Sequence, residues 1–133
     1  MAEKKKENKP GNFRKALTSS GKVMLAGKNA EQNEKLIRQV LDNEVVLHTK
    51  QAGSPFVNIK DNGEIVSLEE IKEAAVFCVE YSQAWKKAKK KPDKVEVHVF
   101  LGKNIYKEKG MKTGTFGVRK LKKVIVKKEE IES

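Results

Sequence analysis

The sequence predicts an α+β domain in which two α-helices cover one face of a mainly antiparallel sheet. The chain has 133 residues, near the commonest size of a single domain, so we expect one domain and no second core. Two segments have the apolar periodicity of helices, and short β-branched or alternating runs flank each of them. The resulting order of hairpin, helix, strands, helix and strands favours antiparallel pairing, with the helices packed on the sheet.

The first half of the chain predicts a hairpin, a helix and two more strands. Residues 18–21 are turn-forming and join the first two strands into a hairpin. Asn29 and Gln32 have the spacing of a capping box, so a helix is predicted over about residues 30–41. The apolar face of this helix consists of Leu36, Ile37, Val40 and Leu41. The predicted strands of this half are residues 13–17, 23–25, 45–49 and 56–59.

The second half predicts a long helix and three strands. Ser67 and Glu70 form an S-x-x-E capping box, and the helical pattern then runs from Leu68 to the lysines before Pro92. The remaining predicted strands are residues 95–99, 116–118 and 124–126. Four side chains on these segments are expected to be buried: Cys78, Tyr81, Trp85 and Phe116. The buried thiol is expected to be inert.

Positive charge is concentrated at the two ends of the chain. The net charge is +11, to which residues 1–28 contribute +6, residues 29–84 contribute −5 and residues 85–133 contribute +10. If the terminal segments meet in the fold, they form one cationic face, and such a face attracts polyanions and releases their counterions. The charge distribution therefore favours a nucleic-acid partner.

Several function classes lack their sequence signals. No apolar run approaches the roughly 20 residues that span a bilayer, and no apolar segment follows the basic N-terminus as in a secretory signal. Cys78 is the only cysteine, which excludes an internal disulfide and a multi-cysteine zinc cluster and favours the cytoplasm. The nucleophile elbow, the phosphate-binding loop and the H-x-x-x-H pair are also absent. We therefore expect no enzyme activity, cofactor, metal, membrane partner or small-molecule substrate. A nuclease that uses His48 and His98 as an acid–base pair remains the alternative.

Five motifs resemble a known family. They are G-K-V-M-L-A-G-K-N-A-E-Q-N at 21–33, L-H at 47–48 followed by G-S-P at 53–55, E-A-A at 73–75, Y-S-Q-A-W at 81–85 and T-G-T-F-G-V-R at 113–119. Together they resemble the NFACT RNA-binding domain of ribosome-quality-control factors, and the length suggests the free-standing small form. Residues 1–11 are basic and lack apolar periodicity, which predicts a flexible arm. The resemblance implies an RNA-binding domain at 12–128 and a short tail at 129–133.

The resemblance implies RNA as the partner, with tRNA or rRNA as the RNA class and the ribosomal large subunit as a further candidate partner. The functional context it implies is translation quality control or tRNA modification. Two alternatives remain open: a ribosome-associated structural protein without RNA specificity of its own, and a chromatin-like DNA-binding protein. Co-sedimentation with ribosomal subunits favours the first, and tight duplex-DNA binding favours the second.

Candidate RNA contacts combine cations, helix-terminal groups and loop residues. A helix N-terminus beside a lysine suits a phosphate, and a glycine-containing turn lets backbone approach RNA closely. Histidine can stack on a base or bond to a 2′-hydroxyl, and arginine can stack as well as pair with phosphate. On these grounds the candidates are Lys28, Asn29, Asn33, His48, Lys50, Gly53, Ser54, Lys86, Lys87, Lys90, Lys109, Lys112, Arg119, Lys120 and Lys122.

Overall fold

The fold is built on one six-stranded antiparallel sheet. A computed structural model describes residues 12–132, so the predicted arm at 1–11 lies outside the described residues. The strands of this sheet, in spatial order, are β1 (Arg14–Leu17), β2 (Val23–Ala26), β4 (Val57–Lys60), β3 (Val45–Thr49), β5 (Lys94–Leu101) and β8 (Lys122–Lys127). Every pair is antiparallel, which confirms the predicted α+β class and its sheet.

The predicted strand at 116–118 belongs to a separate ribbon. β6 (Ile105–Tyr106) pairs with β7 (Gly117–Val118) in a two-stranded sheet outside the main one. The sequence does not signal this partner because β6 is only two residues long, too short for a period-2 pattern. The ribbon anchors the intervening loop beside the main sheet.

The helices within residues 12–132 are α1 (Ala30–Arg38), α2 (Leu68–Glu80), α3 (Gln83–Lys86) and α4 (Lys128–Glu132). The capping box of Ser67 and Glu70 is confirmed at the start of α2. At α1, Asn29 caps the Gln32 amide, but the Gln32 side chain accepts from the Lys28 amide and does not close a capping box on Asn29. Most of the residues that the resemblance assigns to a tail form α4.

The first helix ends three residues earlier than its apolar pattern predicts. The Gln39 amide bonds to the Leu36 carbonyl at 3.2 Å, a tightening of the last turn, and the Gln39 side chain bonds to the same carbonyl at 2.7 Å. Leu41, predicted on the apolar face, is 65% exposed. The side chain of Gln39 satisfies a terminal carbonyl that a continuing helix would have satisfied.

The second helix stops at Glu80 and does not reach Pro92 as predicted. Ser82 donates from its amide (2.9 Å) and its hydroxyl (2.8 Å) to the Val79 carbonyl, while the Gln83 amide donates to the Gly53 carbonyl at 2.8 Å. These bonds replace the helical ladder and redirect the chain into the short α3. The lysine cluster at 86–91 therefore begins at the end of α3 and continues in irregular chain.

The two main helices lie on opposite faces of the sheet, which corrects the prediction that both cover one face. Adjacent residues of a strand point to opposite faces, and Leu47 packs with Ala74 and Cys78 of α2 whereas its neighbour Val46 packs with Leu36 of α1. The sheet thus has a core on each side. Strand patterning shows which residues alternate, but it does not assign a helix to a face.

The basic terminal strands do not come together. β1 and β8 form the opposite edges of the six-stranded sheet, so the single cationic face expected from the terminal segments is not formed by these strands. Exposed lysines on β8, at 122, 123 and 127, instead line an open edge. Charge on an edge strand discourages pairing with other chains.

Candidate nucleic-acid interface

A cleft of about 620 Å³ opens where β2 and β3 end and β4 begins. Its walls come mainly from four parts of the chain: residues 27–30 before and at the start of α1, residues 48–50 with 52–56, the α2–α3 junction, and residues 113–116 with 118. The rest of the lining consists of Arg14, Asn33, His98, Phe100 and Leu121. All four parts contain segments of the motifs singled out in the sequence. The fold therefore gathers these motifs around one concavity.

The mouth of the cleft is cationic. Arg14, Lys28, Lys50 and Lys86 line it, and no Asp or Glu does among the residues that the structure describes. The three lysines are exposed and form no ion pair within residues 12–132. The guanidinium carbon of Arg14 lies 3.9 Å from the ring centroid of Tyr81. Unpaired cations around a concavity concentrate anionic ligands there.

Aromatic rings form one part of the wall. The rings of His48 and Phe56 have centroids 4.4 Å apart, and Phe56 meets Phe116 edge-on at 5.6 Å and Phe100 at 6.4 Å. Phe56 and Phe100 both line the cleft but are each only 4% exposed, so little of either ring is available to a ligand. Phe116 packs against the α1-side core, as predicted.

His48 is tied to the backbone and still lines the cleft. Its Nδ1 lies 2.7 Å from the Thr49 carbonyl oxygen. Because a carbonyl oxygen can only accept a hydrogen bond, Nδ1 is the nitrogen that carries the proton. Burial lowers the pKa of His48, because desolvation disfavours the charged ring. At neutral pH the imidazole is therefore uncharged, and Nε2 is a hydrogen-bond acceptor.

The second histidine is the cross-strand partner of the first. His48 on β3 and His98 on β5 are paired in register, so their side chains lie on the same face, and both line the cleft. His98 Nε2 bonds to Glu96 Oε2 at 2.9 Å, and this hydrogen bond is the main cause of the lowered pKa of Glu96. The sequence did not reveal this proximity, because 49 residues separate β3 and β5 at this register.

Three predicted contacts use their polar atoms to shape the cleft. Asn33 is buried, donates to the Ser54 carbonyl at 3.4 Å and accepts from the Phe56 amide at 3.1 Å. Ser54 accepts from the Thr49 amide at 3.1 Å and donates to the Pro55 carbonyl at 2.8 Å. Gly53, at φ +87°, accepts from the Gln83 amide and packs so tightly that a Cβ would lie 2.7 Å from the Gln83 side chain.

The part of the cleft wall that precedes β7 is held in place by hydrogen bonds and an ion pair. We call residues 107–116 the cleft loop. Lys107 Nζ bonds to the Lys112 carbonyl (2.6 Å), the Thr115 carbonyl (2.8 Å) and Glu34 Oε1 (3.1 Å). The same Glu34 oxygen accepts from the Gly114 amide at 2.7 Å, and this bond is the main cause of the lowered pKa of Glu34. Gly114 is so close to α1 that a Cβ would lie 2.9 Å from Ala30.

The candidate contacts predicted from the sequence divide into two groups. Those that line the cleft are Lys28, Asn29, Asn33, His48, Lys50, Gly53, Ser54 and Lys86. Those that lie outside it are Lys87, Lys90, Lys109, Lys112, Arg119, Lys120 and Lys122. Arg119 is stacked within the protein, with its guanidinium carbon 4.1 Å from the Tyr106 ring centroid.

Arg14, Gln83 and Tyr81 are among the lining residues that sequence reasoning missed. Arg14 lies in a strand that shows no functional motif, and Gln83 was noted only within the Y-S-Q-A-W motif. Tyr81 was predicted to be buried on a helical stripe, but α2 ends just before it and leaves its side chain 36% exposed. Trp85 and Cys78 are buried as predicted, and burial raises the pKa of the Cys78 thiol to about 12. The Y-S-Q-A-W motif was the available signal for Tyr81 and Gln83.

Within residues 12–132, no three His, Cys, Asp or Glu side chains come together as a metal site would require. None of the helices there is long and apolar enough to cross a membrane.

Comparison with known proteins finds similarity to a family model, to a curated protein and to solved structures. The family model of the NFACT protein RNA binding domain matches residues 10–120. The archaeal Rqc2 homolog aRqcH of Methanocaldococcus jannaschii is 40% identical over 68 residues, which are 50% of this chain and 10% of that protein. The solved C-terminal part of the fibronectin/fibrinogen-binding protein from Streptococcus suis has a TM-score of 0.76 and 27% identity, covering 90% of this chain and 47% of that one. The chain thus spans about a tenth of its curated relative and about half of its solved relative.

Proposed function

Because the chain belongs to the family of NFACT RNA-binding domains, as its motifs predicted, we propose that it binds tRNA or ribosomal RNA through the cleft and its cationic mouth. RNA binding follows from the family. The choice of the cleft is supported by one observation above all: Arg14, Lys28, Lys50 and Lys86 surround a concavity that no described carboxylate lines. Phosphate contacts at such a mouth supply affinity and position the RNA.

The functional context we propose is ribosome quality control. The support is the similarity to an archaeal Rqc2 homolog, which covers half of this chain. The chain spans only about a tenth of that relative, so binding is the one activity that we carry over. A cytoplasmic location agrees with this role and with a single buried cysteine.

We propose a binding module and not an enzyme. The paired histidines 48 and 98 give the nuclease alternative a concrete geometry, since both line the cleft. One nitrogen of each ring, however, is occupied inside the protein, His48 Nδ1 by the Thr49 carbonyl and His98 Nε2 by Glu96. RNA recovered intact from a saturated complex after prolonged incubation supports the binding role, whereas cleavage that His48→Ala abolishes supports the nuclease.

The test is a fluorescence-anisotropy titration with tRNA, a ribosomal RNA fragment and duplex DNA over a salt series. We expect a preference for RNA that persists as salt rises. Equal binding of all three ligands, lost near physiological salt, would reduce the interaction to nonspecific attraction of polyanions. Weak binding of isolated RNA with strong co-sedimentation on ribosomal subunits would instead favour a structural role inside that assembly.

A further inference from the structure

We infer that the cleft holds one unpaired RNA nucleotide, with its base inside the cleft and its flanking phosphates at the cationic mouth. The inference rests on the proposed function and names the feature of RNA that the site selects. A bulge, a loop or a chain end presents such a nucleotide, whereas a continuous duplex does not.

The shape of the site is the first argument. A volume of about 620 Å³ lies within the range of roughly 300–1,000 Å³ typical of pockets that enclose a small ligand. A duplex keeps its bases stacked inside and offers a convex surface of sugars and phosphates. Phe56 and Phe100 line the cleft but are each only 4% exposed, so only a base that leaves the stack can reach them.

The second argument is the chemistry inside the cleft. His48 donates through Nδ1 to the Thr49 carbonyl, so Nε2 of the neutral ring is an acceptor, and the ring itself lines the cleft. Amino groups on the edges of adenine, cytosine and guanine are donors that such an acceptor can take. The ring stack of Arg14 on Tyr81 adds a flat surface at the mouth, and both arginine planes and aromatic rings stack on bases.

The third argument is that the walls are formed before any ligand arrives. Asn33 donates to the Ser54 carbonyl, and the Ser54 hydroxyl oxygen accepts from the Thr49 amide. Glu34 and Lys107 hold the cleft loop against α1. No buried side-chain nitrogen or oxygen within residues 12–132 lacks a hydrogen-bond partner. A preformed pocket loses little conformational freedom on binding, which favours affinity for the inserted group.

The test compares two RNAs that differ in one nucleotide. One is a perfect duplex, and the other is the same duplex with a single bulged 2-aminopurine. We expect the wild-type protein to bind the bulged RNA at least about 10-fold more tightly, a difference of about 1.4 kcal/mol. We also expect the bound 2-aminopurine to become several-fold less accessible to acrylamide quenching, because the base enters the cleft.

A matched pair of variants ties the preference to the cleft. Ala52 is exposed and lines the cleft, while its neighbour Gln51 is exposed and does not. Ala52→Trp fills the mouth and is expected to abolish both the preference and the acrylamide protection, whereas Gln51→Trp leaves both unchanged. If Ala52→Trp fails to fold by circular dichroism, Thr115→Trp, on the opposite wall, takes its place.

The outcomes separate this inference from the proposed function. Equal binding of duplex and bulged RNA, or full acrylamide access to the bound base, overturns the single-nucleotide site and leaves RNA binding intact. Loss of the preference in Gln51→Trp as well as Ala52→Trp also overturns it. Failure of the wild-type protein to bind either RNA, or tRNA, overturns the proposed function itself.

Discussion

Neutralising two lysines at the mouth of the cleft should weaken RNA binding in a way that depends on salt. Lys50 and Lys86 are exposed, line the cleft and form no ion pair within residues 12–132. Replacing both with glutamine keeps the length and polarity of most of each side chain. We therefore expect the double variant K50Q/K86Q to fold as the wild type does and to lose phosphate contacts alone.

The magnitude follows from the number of cations at the mouth. If each of the four contacts one phosphate of single-stranded RNA, log K falls with log salt at a slope of about −2.8, and at about −1.4 once two are removed. Between 50 and 200 mM salt the wild type should lose about 50-fold in affinity and the double variant about 7-fold. Extrapolated from 1 M to 0.1 M salt, the difference in slope corresponds to about 25-fold weaker binding by the variant.

The assay is the anisotropy titration at four or more salt concentrations, and the control is K90Q/K122Q. Lys90 and Lys122 are exposed and lie outside the cleft, and each double variant removes two positive charges from the same net charge of +11. We expect the control to keep a slope close to that of the wild type. Equal slopes for the two double variants would refute the cleft as the phosphate site, because net charge alone would then account for the change.

Three further predictions concern the groups that support the cleft and the core. Glu70 and the 73%-exposed Glu64 both approach Lys22. Hydrogen bonds from the Ser20 and Thr18 hydroxyls, the Ser67 amide and Lys22 lower the pKa of Glu70. E70Q should therefore lower Tm at pH 7 more than E64Q does, and this gap should shrink as pH falls below the usual pKa of glutamate, because Glu70 stabilises the fold only while ionised. E34Q should speed amide hydrogen exchange in the cleft loop with little change in Tm. It should also weaken RNA binding by about 5-fold, which corresponds to about 1 kcal/mol of loop ordering. Unchanged hydrogen exchange in the loop would contradict the role given to Glu34. Burial raises the pKa of the Cys78 thiol to about 12. Cys78 should therefore react with a thiol reagent only as fast as the fold opens. Rapid labelling of the native protein would show that the surroundings of Cys78 are more open than described.

Local chemistry accounts for the parts of the fold that the sequence predicted correctly. The hairpin of β1 and β2, the cap at Asn29 and the capping box of Ser67 with Glu70 depend on residues within a few positions of one another. A period-2 pattern likewise located β5, because a half-buried strand shows its burial in its own sequence, and a short apolar run located β3. The same patterns could not say that the helices lie on opposite faces, since alternation is identical whichever helix covers which side.

The cleft itself depends on contacts between distant segments. The break after Glu80 is made by Ser82 and by the Gly53 carbonyl, which accepts from Gln83, 30 residues further along the chain. This break exposes Tyr81. The sequence alone identified the family, the basic character and eight residues that line the cleft. Only the tertiary structure showed that Arg14 joins Lys28, Lys50 and Lys86 around one mouth, and that the other basic candidates lie elsewhere. Charge and periodicity are properties of neighbouring residues, whereas a concavity exists only once sheet pairing has brought remote loops to the same end of the fold.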